Sequence, residues 1–190
     1  YIRMLFTMVI SLYTSRVILQ VLGADDFGIY NVVGGVVVLF SFLTNAMTSS
    51  TQRFLNYNFG LKNESKVSHI FNVSILTHFT IFLLVLLLSE TVGLWFVMTQ
   101  LNIPVGRETA TMWVYQMSVV TTLIGIMVIP YRASIIAAER MSIFAYVSIL
   151  EVALKLVVVL VLSYMSFDNL VMYSILLTLV ALLNFFIYQI

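Results

Sequence analysis

The sequence predicts an all-α fold, a polytopic membrane bundle of six transmembrane helices, on three observations. The chain is 62% hydrophobic and only 9% charged, whereas a water-facing domain carries about 25% charged residues. Mean hydropathy is +1.08, and the apolar residues are spread along the chain in runs near the ~20 residues that a spanning helix needs. Those runs are continuously apolar and do not alternate with a period of two, so helices are expected and barrel strands are not.

The first span covers about 4–22, "MLFTMVISLYTSRVILQVL", with Arg16 inside it. It does not resemble a cleaved signal peptide, because Arg16 interrupts the apolar region and no small-x-small cleavage site follows. The turn "LGADDFG" leads to a second span at about 29–51. A third, at about 70–98, is long enough to tilt. The fourth, about 110–130, is expected to end at Pro130. The fifth and sixth cover about 144–165 and 170–190. The absence of cysteine excludes disulfides and thiolate metal sites. Because the chain opens on Tyr1 and stops at Ile190 inside an apolar run, it is read as a fragment of a longer membrane protein.

Loop charges give the orientation. One set of connections carries Arg3, Arg53, Lys62, Lys66, Arg132 and Arg140; the alternate set carries Arg107 alone, with Asp25, Asp26, Glu108 and Asp168. The positive-inside rule then puts the N-terminus and the 52–69 and 131–143 loops in the cytoplasm. Trp95, Trp113, Tyr30 and Tyr164 fall near the opposite boundary, where amphipathic rings settle.

No phosphate loop, metal-spaced His/Glu pair or nucleophile with a base is present in the sequence, so an enzyme is not expected. Gly34 and Gly35 are read as a close helix contact. The chemistry rests on polar groups at membrane depth. Arg16 either snorkels to the headgroups or stands in a hydrated cavity, where its planar fork suits phosphate and Gln20 adds a polar group near its face. Glu151 and Lys155, four residues apart, share one helix face near mid-membrane. They are either a structural pair or part of a translocation path, where substrate or a proton competes for one partner. Asn45, Ser49 and Gln52 recur at steps of four and three in span two, suited to helix–helix bonds or to a vestibule compatible with sugars. His78, Gln116 and Asn184 are lone polar residues in spans, expected to bond neighbouring helices. His78 alone among them titrates near neutrality, which makes it a candidate for ion coupling, with Glu151 as the other.

The segments "SRVILQVLGADDFGIYNVV", "STQRFLNYNFG" and "IPYRASIIAAERMSIFAYVSILE" resemble bacterial polysaccharide biosynthesis proteins. These are the oligosaccharide-lipid flippases of the multidrug/oligosaccharidyl-lipid/polysaccharide exporter superfamily. The matching positions include Leu22, Gly23, Phe27, Gly28 and Tyr30. The resemblance implies the N-terminal lobe of a twelve- to fourteen-helix transporter in the bacterial plasma (inner) membrane. It also implies alternating access, undecaprenyl-pyrophosphate-linked oligosaccharide as substrate, and a proton or sodium ion as the coupling ion. Partners would be membrane lipids, a polysaccharide polymerase and glycosyltransferases, with no nucleic acid. Arg16 is the position that best matches a cationic cavity residue, and Lys155 follows. Alternatives are a cation-extruding relative, for which the deep charges here are too basic, and a nontransporting membrane scaffold.

Overall fold

The computed structural model describes residues 2–39, 42–61, 64–164 and 167–189, with the side chains of 2–3 and 42–47 outside the description. Among the described residues there are helices and turns and no strand, as the composition requires. In chain order the helices are α1 Ile2–Leu39, α2 Phe42–Gly60, α3 Glu64–Leu88, α4 Leu94–Gln100, α5 Glu108–Ala137, α6 Met141–Leu162 and α7 Asn169–Gln189. A π-helical turn, Ser89–Gly93, runs α3 into α4 without a break. Five stretches of the described residues are long and apolar enough to cross a membrane. The chain is a multi-pass helical membrane protein.

The turn between the first two predicted spans lies inside α1. Gly23 takes φ 81 and ψ 171, a backbone region essentially closed to residues with a side chain. The two halves of α1 pack on different partners. Ile18 joins Val158, Val159 and Leu162 of α6, whereas Val33 and Val37 join Val114, Val119 and Leu123 of α5. The predicted second span is divided between the end of α1 and the start of α2, with residues 40–41 outside the described residues.

The basic connections differ from expectation. The 52–69 stretch is mostly helix: α2 runs to Gly60 and α3 starts at Glu64, which puts Arg53 on a helix and leaves Lys62 outside the described residues. Nor does the fourth span end at Pro130, since α5 continues to Ala137. A proline inside a helix deletes one backbone hydrogen bond. In a spanning helix, packed neighbours and hydroxyl side chains compensate for that loss. Here Pro130 is buried and its carbonyl accepts a 2.9 Å bond from Ser134 Oγ.

What remains of the 131–143 loop is a tight C-terminal cap. Arg140 N–H donates to Ile135 O at 3.1 Å and Glu139 N–H to Ile136 O at 3.0 Å, with Glu139 left-handed at φ 58. This pairing is a Schellman motif, whose left-handed position favours glycine. Tyr30 is a half-buried ring, 4.9 Å from Tyr173 and edge-on to it. Trp95, Trp113 and Tyr164 are exposed.

Two backbone positions give opposite expectations for thermal denaturation in detergent. Glu139→Gly relieves a left-handed side chain and raises stability by about 0.5–1 kcal/mol. Gly23→Ala forces a side chain into forbidden backbone space and lowers it by about 1–3 kcal/mol. A Gly23→Ala protein as stable as the parent removes the argument that glycine makes this turn.

Candidate functional site

The site is built from one end of the bundle downward. At that end, here the acidic end, Arg107 ion-pairs with both Asp26 and Asp168. Each residue belongs to a different turn. Asp26 follows the Gly23 bend, Arg107 precedes α5 and Asp168 precedes α7. The side chain of Asp26 is only 8% exposed, so its charge depends on Arg107. Asp168 also caps α7, its Oδ1 accepting the Leu170 N–H at 3.1 Å; a carboxylate there suits the helix dipole. Asn169 Nδ2 adds a bond to the Val21 carbonyl at 3.4 Å.

Below this clamp the second half of α1, α5, α6 and α7 surround a groove. Its first section, about 360 Å³, is lined by Asn31, Gly34, Gly35, Ser118, Thr122 and Ser174 among others. The second section, about 390 Å³, shares Tyr30, Thr121, Thr122 and Leu177 with the first and continues to Arg132, Glu151, Lys155, Asn184 and Tyr188. Gly34 and Gly35 therefore do not make the close helix contact expected of them. A Cβ at either would meet nothing within 4 Å, so their missing side chains widen the groove.

Lys155 Nζ lies 2.6 Å from Glu151 Oε1, the geometry that four-residue helical spacing provides. The two side chains are 45% and 37% exposed, so the pair borders the open groove and not a sealed core. Arg132, from α5, lines the same section and makes no ion pair among the described residues. The Asn184 side chain is buried against the groove, and its Oδ1 accepts no hydrogen bond from the described residues. Such an acceptor is costly to leave unpaired. The groove thus offers two cations, one carboxylate, an orphan acceptor and several hydroxyls.

The other predicted residues stand elsewhere. Arg16 and Gln20 are exposed on the first half of α1 and do not line either section. Ser49 is exposed and Gln52 half-buried on α2, which packs on α3 and α5 away from the groove. The Asn45 side chain lies outside the described residues. His78 is fully buried. Its Nδ1 is 2.8 Å from the Ser74 carbonyl, its Nε2 is unpartnered, and it does not line the groove. Gln116 makes the interhelical bond expected of it, to Glu90 Oε2 at 3.3 Å.

Sequence reasoning missed three features. From the sequence, Arg132 is a topology charge, Asn184 a helix–helix bond, and the acidic-end residues loop charges. The signal for the clamp was legible: a lone arginine among four acids on one side. Comparison of the chain with protein-family models, with curated proteins and with solved structures gave no match.

Two outcomes follow from this geometry. Arg107→Met leaves the Asp26 carboxylate buried without its partner and costs about 1–3 kcal/mol in unfolding experiments. Adding Asp26→Asn restores part of that loss, since the two sites share one interaction; strictly additive losses overturn the clamp. Because the chain has no cysteine, single thiols report access to the groove. Ser118→Cys, lining it, reacts in membranes with a charged, impermeant thiol reagent, while Val119→Cys, 1% exposed, does not. Equal protection of both thiols would count against a hydrated groove.

Proposed function

We propose that the chain is a six-helix lobe of a flippase that moves a lipid-linked oligosaccharide across the bacterial plasma membrane by alternating access. The observation that carries this reading is the groove, with Lys155, its partner Glu151 and the unpaired Arg132 in one section. Charged side chains at the centre of a spanning helix cost about 2.5–3.5 kcal/mol each on insertion scales. A folded chain keeps them where they meet water, a partner or a ligand.

The chemistry of the groove matches an anionic head joined to a sugar. Arginine and lysine together suit a phosphate or pyrophosphate. The hydroxyls of Ser118, Thr122 and Ser174 suit sugar hydroxyls, and Asn184 Oδ1, which lacks a donor and stands in the charged section, suits the sugar that adjoins the head. The resemblance of residues 15–33 and 129–151 to polysaccharide biosynthesis proteins points to the same class. On this reading Lys155 and Arg132 hold the head, Arg16 is no part of this groove, and a second lobe faces it. The N-terminus and the basic end, with Arg53, Lys66, Arg132 and Arg140, lie in the cytoplasm. Chemical catalysis is not part of the proposal. A proton or sodium gradient supplies the drive, and a polymerase and glycosyltransferases act before and after transport.

A cation exporter of the same superfamily fits less well, because a groove with two cations and one carboxylate repels its substrate. The test is surface polysaccharide in a strain whose own copy is deleted. Lys155→Ala and Arg132→Ala, each present at normal membrane levels, are expected to lower surface polymer at least tenfold. Normal polymer from both variants overturns the assignment. Protection against cationic dyes with no polysaccharide defect in the deletion strain favours drug export instead.

A further inference from the structure

A short polar side chain inside a helix commonly bonds to its own backbone. Asn31 Nδ2 donates to the Phe27 carbonyl at 2.7 Å, and Asn58 Nδ2 to the Phe54 carbonyl at 2.9 Å. On α7, Ser174 Oγ donates to the Val171 carbonyl at 2.7 Å and Thr178 Oγ1 to the Ser174 carbonyl at 2.9 Å. Asn184 makes no such bond among the described residues. It is 6% exposed, and its Oδ1 has no donor. With Leu177, Val180, Ala181 and Tyr188 it forms the side of α7 that lines the charged section of the groove, a stripe at helical spacing.

A carboxamide oxygen only accepts, so the partner it lacks is a donor. Two strong donors stand in the same section, and neither supplies it: Lys155 Nζ bonds to Glu151, and Arg132 makes no bond to Asn184 among the described residues. A ligand in the groove would have to bring the donor. The oxygens of a pyrophosphate diester accept hydrogen bonds, and a lipid chain neither gives nor takes them, which leaves the sugar. On that sugar the donor nearest the phosphate is borne by carbon 2, one bond from the anomeric carbon. We infer that Asn184 is a specificity residue: Oδ1 accepts a hydrogen bond from the carbon-2 hydroxyl or acetamido N–H of the sugar joined to the pyrophosphate. This rests on the reading of the groove as a site for a lipid-linked oligosaccharide.

The terminal torsion of asparagine is broad, so the carboxamide can turn its oxygen to a ligand while the rest of the side chain stays in place. A sugar that bears a donor at carbon 2 then satisfies the buried acceptor. A 2-deoxy sugar leaves it unpaired, and the cost falls on the complex. Sites built around a hydrogen bond reject an analogue that lacks the partner more strongly than an apolar pocket rejects one of altered size. The serine and threonine hydroxyls of the other section are less selective, because each can donate as well as accept. Discrimination at carbon 2 therefore depends on Asn184.

The experiment uses the full chain in nanodiscs of phosphatidylcholine, whose zwitterionic headgroups do not compete as anions. Three citronellyl-pyrophosphoryl probes are compared by calorimetry, carrying N-acetylglucosamine, glucose or 2-deoxyglucose. The parent is expected to bind the first two, and to bind the 2-deoxy probe about ten- to a hundredfold more weakly than the glucose probe. Asn184→Leu, close to asparagine in shape, is expected to bind the glucose and 2-deoxy probes within about twofold of each other, since no buried acceptor is left to satisfy. Equal affinity of the parent for these two probes overturns the inference and leaves the anion groove standing. Discrimination that survives in Asn184→Leu does the same, because it puts the acceptor on another residue. Should Asn184→Leu not fold, Asn184→Ala takes its place and is judged by the same ratio. No binding of any probe by the parent overturns both the inference and the reading beneath it.

Discussion

The groove depends on Arg107. The three helix segments that line most of it, the second half of α1, α5 and α7, all begin at the acidic end, and Arg107 holds their starting turns through Asp26 and Asp168. The clamp would be weak if every member were exposed, since solvent-facing ion pairs contribute about 0–1 kcal/mol. Burial of Asp26 changes the balance. A nearly enclosed carboxylate without its guanidinium leaves an uncompensated charge, the costly case for buried ions. The arginine therefore acts less as glue than as a condition on the arrangement, because Asp26 can be buried only where Arg107 reaches it.

With that end held, packing further down is free to leave space. Tyr30 and Tyr173 close edge to face beneath the clamp, and Thr121 and Thr178 join α5 to α7 with a 3.0 Å bond. Past these contacts the helices do not fill the volume between them. Gly34 and Gly35 contribute no side chain. Pro130 has no N–H to give the Ile126 carbonyl, a loss that falls in the stretch of α5 lining the groove. A chain selected only for tight packing would place leucine or alanine at such positions.

How far the sequence could be read follows from the kind of force involved. Helical class and the approximate spans were legible, because length and hydropathy answer to the membrane's thickness, a constraint acting on each segment alone. Local signals sufficed for Glu151 and Lys155, since helical spacing fixes their meeting. Pro130 misled because its cost in water does not carry over to a packed spanning helix. The true end of α5 is set instead by the cap at Glu139 and Arg140. Arg16 stands out in the sequence for its depth, yet depth along a helix does not say which face a residue occupies. That depends on which helices pack on α1, a property of residues more than a hundred positions away. Asn184 and Arg132 escaped for the same reason. Their role comes from convergence of α5, α6 and α7, which no periodicity within one helix encodes.

The groove's chemistry is also graded along its length. Toward the acidic end it offers neutral donors and acceptors, Asn31, Ser118, Thr122 and Ser174. Further from the clamp stand the charges, Arg132, Glu151 and Lys155. A ligand that is neutral and hydroxylated at one end and anionic at the other has one favourable direction in such a site. Reversed, it would set its charge against neutral hydroxyls and leave Arg132 unpaired. The desolvated charge, the more expensive of the two mismatches, decides the direction. On the proposed reading the anionic head lies toward the basic end and the sugars toward the Arg107 clamp. The clamp then stands across the end that the sugars approach, and its two ion pairs are the contacts that must part if the sugars leave between α1, α5 and α7.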